Sequence, residues 1–185
     1  SPMSSGRCRT AAPSARHSRH SSSSPHPTLA TRNSTLVQMA DDLQVDIVTP
    51  DGRVFQGQAS GVRAPGIEGS FEVLSHHAPM ISAFGIGPLV VKTQNAHEFA
   101  DIRDNRIVFA TSGGFLEVIN NQVTVLAETV ELPSEIDVER AEEAEERARR
   151  RIEEGVQGED RERAEKALER ARNRVRVSMG QVGRG

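Results

Sequence analysis

The sequence predicts an all-β N-terminal sandwich or flattened barrel followed by a C-terminal α-helical hairpin, and three observations carry that reading. Apolar residues between Leu43 and about Glu131 recur with a period near two. Turn-forming residues punctuate the same stretch at short intervals. After Pro133 the period changes to spacings of three and four.

In the β part, Leu43, Val45 and Ile47 alternate with Gln44 and Asp46, and the strand runs into Thr49-Pro50-Asp51-Gly52, a turn signal. Gly85-Ile86-Gly87-Pro88 interrupts the chain before Leu89-Val90-Val91. Asp104-Asn105 and Asn120-Asn121 each sit between strand-like runs, where asparagine tolerates the positive φ of a tight hairpin. Short strands so spaced indicate an antiparallel sandwich or flattened barrel over residues 39–132. No helix-length segment interrupts them, which argues against a doubly wound nucleotide-binding fold.

Residues 133–178 then read as two antiparallel helices, with a flexible tail at 179–185. Ser134 is the expected N-cap, with Asp137 three residues later in the place of the capping-box acid. Ala141, Ala144, Ala148 and Ile152 fall on one face. Gly155-Val156-Gln157-Gly158 breaks the helix, and Ala164, Ala167, Leu168, Ala171 and Val175 form the stripe of the second. A leucine-sized side chain contributes about 1.5–3 kcal/mol on burial and alanine much less. A seam made mostly of alanine therefore holds the hairpin lightly, so the hairpin opens at modest cost.

Ahead of the fold, residues 1–38 contain five arginines, abundant serine and no Asp or Glu. Such a segment buries too little apolar surface to offset its ordering entropy and reads as a disordered leader. Its origin is first a non-native or mis-assigned start, since Met39 heads a sequence that turns globular at once, and second a mitochondrial targeting peptide, since the composition fits one. The net charge of −3 becomes more negative without these arginines, which argues against nucleic acid as a partner. Cys8 is the single cysteine, so no disulfide or thiolate metal site can be built within the chain. No apolar run approaches the roughly 20 residues that span a bilayer, so membrane association is expected to be indirect, through partners.

Three segments converge on one family. Pro65-Gly66-Ile67-Glu68-Gly69-Ser70-Phe71-Glu72-Val73-Leu74-Ser75-His76-His77-Ala78-Pro79 resembles the signature loop and strand of ATP synthase epsilon subunits. Thr111-Ser112-Gly113-Gly114-Phe115-Leu116-Glu117-Val118 and Val123-Thr124-Val125-Leu126-Ala127-Glu128 look like the later strand pair of that sandwich. The resemblance runs from about Leu43 to Met179; Glu72 and Ser75 stand where the family usually has Gly and Pro. It implies a non-catalytic central-stalk subunit of a proton-translocating F-type ATP synthase. The sandwich would dock on the gamma subunit and the membrane ring of c subunits. The hairpin would either fold down or extend toward the catalytic alpha-beta hexamer and inhibit ATP hydrolysis. The implied location is peripheral on the cytoplasmic face of the bacterial plasma membrane, or the matrix side of the mitochondrial inner membrane for the mitochondrial counterpart.

The resemblance also implies a regulatory nucleotide site; no cofactor is required. Ile136-Asp137-Val138-Glu139-Arg140-Ala141 is similar to the Ile/Leu-Asp-x-x-Arg-Ala motif of ATP-binding bacterial epsilon subunits, and Glu131, Arg147, Arg170 and Arg174 stand where those subunits place their remaining ligand residues. The chemistry is coherent. Arg170 and Arg174 share one helix face, Arg140 and Arg147 lie two turns apart on the other helix, and a triphosphate would relieve the repulsion among their guanidinium groups. Glu131 and Asp137 can accept hydrogen bonds from an adenine amino group or ribose hydroxyls. The plainer alternative is that Asp137 favours the helix N-terminus and pairs with Arg140 while the arginines form a solvated face. Gly61 and Gly66 have P-loop spacing, but Ile67-Glu68 replaces the required Lys and hydroxyl residue, which excludes hydrolysis by that route. His76-His77, adjacent in a strand, would face opposite ways and could not chelate one metal. Asn33-Ser34-Thr35 is formally a glycosylation sequon with no secretory signal before it. Outside the rotary complex, the competing function is a free ATP sensor whose hairpin responds to nucleotide.

Overall fold

The computed structural model describes residues 42–93 and 105–182; the expectations placed on the leader, with Cys8, Met39 and the sequon, and on Asp104 lie outside them. Ten strands come first: β1 (Leu43–Thr49), β2 (Gly52–Ala59), β3 (Gly61–Gly66), β4 (Gly69–Leu74), β5 (Met80–Phe84), β6 (Gly87–Lys92), β7 (Arg106–Thr111), β8 (Gly114–Ile119), β9 (Gln122–Ala127) and β10 (Val130–Glu131). A 3₁₀ turn (Pro133–Glu135) leads into α1 (Val138–Glu153) and α2 (Glu159–Ser178). The fold is the expected sandwich, nearly a barrel, followed by a helical hairpin.

The strands run β10-β7-β6-β3-β5-β8-β9-β1-β2, with β4 on β3. The β3–β5 junction rests on one residue pair, Gly66 with Phe84, so the sheet folds there into two layers. Period-two alternation turns one side of each layer inward. Leu43, Val45, Ile47, Leu116, Val118, Val123 and Val125 from one layer meet Val62, Val73, Leu89, Val91, Ile107 and Phe109 from the other. Phe55 and Phe109 pack edge to face with centroids 6.2 Å apart.

The turns follow the residues that build them. Asn120 and Asn121 both take positive φ (51° and 60°), the two-residue connection that matches strand twist between β8 and β9. Asn105 also has positive φ, at the entry to β7. One expectation fails in detail. β1 pairs with β9 in parallel, from Gln44 opposite Gln122 to Val48 opposite Leu126, so the sandwich is mixed rather than antiparallel throughout. Alternation records which face of a strand is buried and says nothing about the direction of its neighbour. His76 and His77 sit in the turn after β4, not in a strand, and His76 takes positive φ while its N–H donates to Asn121 Oδ1 at 2.6 Å.

Glu72 pairs its carboxylate with Lys92 of β6 at 2.5 Å, reaching past β3 at Gly61. A Cβ on Gly61 would lie 2.9 Å from Leu74 and 3.1 Å from Glu72, so the missing side chain leaves room for this crossing.

In the Gly113-Gly114 pair both residues have positive φ, and a Cβ on Gly114 would come within 2.0 Å of the Leu126 carbonyl. Glycine here lets β8 lie against β9 and carry Leu116 and Val118 into the core. Gly114→Ala should therefore lower unfolding free energy by about 2–4 kcal/mol in urea titration. An unchanged midpoint would remove this close approach as a constraint on the sheet.

Candidate functional site

The hairpin lies on the outer face of β6 and β7. Leu89-Val90-Val91 breaks the period of two because these strands are covered on both sides: Leu89 and Val91 enter the core, while Val90 and Ala110 are buried on the opposite face. Ala110, Ile136 and Val177 form a second small apolar cluster there, joined by Val108 and by Val182 from the expected tail. Within the hairpin the buried seam is Ala141 and Ala148 against Ala164 and Ala171; Ala144, Ile152, Ala167, Leu168 and Val175 are only partly covered. The expected alanine seam is thus present, narrower than the full stripe.

The start of α1 differs from expectation. Asp137, not Ser134, is the N-cap: its Oδ1 accepts from the Arg140 N–H at 3.0 Å. Pro133, with its fixed φ, opens the separate 3₁₀ turn, closed by the Leu132 N–H donating to Glu135 Oε2 at 2.9 Å. Ile136 then turns inward in extended conformation, which restarts the helix at Asp137.

These local events place side chains around a cleft of about 380 Å³ between the end of β10, the first half of α1 and α2. Glu131, Ile136, Asp137, Arg140, Ala141, Arg147 and Arg174 line it, together with Glu135 and Ala144. Seven of the eight expected ligand residues therefore share one cavity. Arg170 does not; it lines an adjoining small recess with Thr111, Asn173, Glu131 and Arg174. Binding pockets for small molecules commonly measure 300–1,000 Å³, so the cleft is of nucleotide size.

Its charges are partly committed. Arg174 donates to Glu131 in bidentate fashion, Nε to Oε2 at 2.5 Å and Nη2 to Oε1 at 3.2 Å. Arg147 Nη1 donates to Glu143 at 3.1 Å in an exposed i,i+4 pair. Among the described residues, Arg140 and Arg170 have no carboxylate partner. The cleft thus offers one uncommitted guanidinium group, Arg140, and two held by carboxylates that an anion could displace, with the uncommitted Arg170 in the adjoining recess. The plainer roles are real as well: Asp137 caps α1, and Arg147 sits in the solvated face.

One residue of this region escaped sequence reasoning. Asn173, facing the sheet from α2, is 5% exposed, and its Nδ2 donates to the carbonyls of Gly87 at 2.9 Å and Thr111 at 3.2 Å. An asparagine amid helix-forming charges reads as one more surface polar group; its interruption of an apolar stripe beside Ala171 and Val177 was the available signal.

Comparison with known proteins adds an independent line. Residues 42–133 match the family model for the ATP synthase Delta/Epsilon chain beta-sandwich domain, and residues 134–179 match that for the ATP synthase Delta/Epsilon chain long alpha-helix domain. The chain is 76% identical over 145 residues to the ATP synthase epsilon chain of Salinibacter ruber, covering 78% of this chain and 97% of that one. It is 42% identical over 112 residues to the ATP synthase epsilon chain of Brevibacillus brevis, covering 60% and 79% respectively. Among solved structures, it resembles a chain of the Euglena gracilis mitochondrial ATP synthase, with TM-score 0.61 at 20% identity over 81% of this chain and 86% of that one. A chain from the Tetrahymena thermophila mitochondrial ATP synthase central stalk and c-ring gives TM-score 0.50 at 16% identity over 76% and 96%. At these identities the structural likeness is one of fold.

The Glu131–Arg174 contact is open to direct measurement. A double-mutant cycle of Glu131→Gln and Arg174→Ala, read by amide exchange of α2, should give a coupling of about 0.5–1 kcal/mol, as befits a partly exposed pair. A coupling of zero would mean that the pair contributes nothing to holding the helix.

Proposed function

The chain belongs to the ATP synthase delta/epsilon chain family, and from that premise we propose that it is a central-stalk rotor subunit whose hairpin answers to ATP. In this role the sandwich joins the gamma subunit to the ring of c subunits of a proton-translocating enzyme. The chain itself is a non-catalytic subunit. The hairpin, when extended toward the alpha-beta hexamer, restrains ATP hydrolysis; when docked and holding ATP, it does not.

The observation that carries this reading is the gathering of Glu131, Ile136, Asp137, Arg140, Ala141, Arg147 and Arg174 around one cleft that exists only with the hairpin down. ATP bound there favours the docked state in proportion to its differential affinity. At 100 times its dissociation constant it adds about 2.7 kcal/mol, enough to set the position of helices joined by an alanine seam. The triphosphate would meet Arg140 and Arg147 from α1 and displace Glu131 from Arg174. Arg170 would complete the set by moving across from the adjoining recess.

A stalk position is further supported by an apolar strip on the outer face of the β5–β8–β9 layer. Ile81, Phe115 and Leu126 are 71%, 58% and 53% exposed, and the pairings of Ala83 with Phe115 and of Phe115 with Leu126 make the strip continuous. A contiguous apolar surface of this kind suits a protein partner. This also favours the rotor over a free ATP sensor. Among the described residues no helix is long and apolar enough to cross a membrane, in keeping with a peripheral place on the cytoplasmic face of the bacterial plasma membrane. The Salinibacter and Brevibacillus relatives favour that location over the mitochondrial one.

Two measurements test the proposal. Calorimetric titration with ATP should show binding that weakens about tenfold in Arg140→Ala and in Arg147→Ala, each removing one charge-assisted contact. Identical hairpin distances with and without saturating ATP would defeat the switch. In the reconstituted complex, removing the segment after Pro133 should raise ATP hydrolysis severalfold, and unchanged hydrolysis would eliminate the inhibitory role while leaving the coupling role standing.

A further inference from the structure

Asn173 has features that neither the apolar clusters nor the nucleotide cleft accounts for. It is a buried polar group in the hairpin, and its two donor bonds reach two different strands. Gly87 and Thr111 are themselves partners in the β6–β7 ladder. Counting by twos from the Thr93 N–H bond to the Asn105 carbonyl puts them on a hydrogen-bonded pair, so each carbonyl already accepts one ladder bond and offers Asn173 its second lone pair. Their position is held from behind: a Cβ on Gly87 would lie 2.6 Å from Pro65 of β3.

The other half of the amide is not served. Asn173 Oδ1 is buried with no hydrogen-bond donor in reach. Docking therefore gains two hydrogen bonds while keeping one acceptor away from water, a loss comparable to a single bond. The result is a contact of high positional specificity and small net strength. Undocking exposes Oδ1 to solvent and leaves both strand carbonyls with their ladder partners, so neither side blocks the return.

We infer that Asn173 is the positioning latch of the hairpin, an amide clip that selects the register of α2 on β6–β7 and thereby delivers Arg170 and Arg174 to the cleft edge. Arg174 follows it directly and meets Glu131 on β10, the strand that pairs with β7 at Thr111 and Ala110. Arg170 lies three residues before it and shares its recess. The latch acts without nucleotide; its consequence for ATP affinity rests on the nucleotide reading above.

The test uses the full chain carrying Cys8→Ser, with spin labels at Gln122→Cys on the sandwich and Gln157→Cys at the hairpin tip, both exposed positions. In nucleotide-free protein, Asn173→Ala should shift the docking equilibrium about tenfold toward longer distances, from the loss of two donor bonds offset by relief of one buried acceptor. Asn173→Asp keeps the shape but turns carboxylate oxygens toward the two carbonyls, and should shift it further than alanine does. Amide exchange in β1, β8 and β9 should stay unchanged in both variants, which separates positioning from general destabilisation. An unaltered distance distribution in both variants, or an aspartate no worse than alanine, overturns the latch. ATP titration of the same proteins reads the other claim separately. If the variants undock but the Asn173 parent binds no ATP, the latch stands and the nucleotide reading falls.

Discussion

Docking of α2 on the outer face of β6–β7 is the contact on which the cleft and the placing of the hairpin depend. Two hydrogen bonds from one amide and the small Ala110–Ile136–Val177 cluster hold it there. The sandwich does not need this contact, because its own core is closed by residues from both layers. The cleft does need it. Arg174 comes from α2, Glu131 from β10 and Arg140 from α1, so no cavity of this composition exists unless all three elements meet.

The energetics of that meeting are deliberately unequal to those of the β part. Large side chains such as Phe109, Leu43, Ile47 and Leu116 are fully buried in the sandwich, whereas the helix seam offers Ala141, Ala148, Ala164 and Ala171. At about 25 cal/mol per Å² of apolar area removed from water, the second set contributes far less. Exposed pairs such as Glu145–Arg149 and Glu162–Lys166 stabilise each helix along its own axis. The bridge from Arg172 to Glu145 at 3.2 Å does link α1 to α2, but it is half exposed and weak. The helices are thus individually sound and collectively loose, a combination suited to movement as intact rods.

Electrostatics gives the same site a ligand-free resting form. Glu131 grips Arg174 as a planar two-oxygen acceptor, in the way a phosphate would, and so occupies one guanidinium of the cleft. In the proposed nucleotide-bound form, exchange of that carboxylate for a triphosphate would free Glu131 as an acceptor and draw Arg140 and Arg147 inward. The pair at Glu72 is a separate matter. It ties β4 to β6 through Lys92 and belongs to the sandwich alone.

How much of this was written in the chain divides along physical lines. Strand alternation, the Asn120-Asn121 turn, the change of period at Pro133 and the glycine break before α2 depend on neighbours in sequence, and all were legible there. The resemblance supplied eight candidate ligand residues, and the structure brings seven of them to one cleft. The parallel β1–β9 pair, the shift of the helix cap from Ser134 to Asp137 and the anchoring role of Asn173 were not legible. Each depends on a surface supplied by a distant segment: β9 beside β1, an apolar site receiving Ile136, and two strand carbonyls facing α2. Local conformation is selected by energies among residues a few positions apart, so sequence alone determined the elements. Which carbonyl meets which amide across 86 residues of chain is settled only when the layers close, and that the tertiary structure decided.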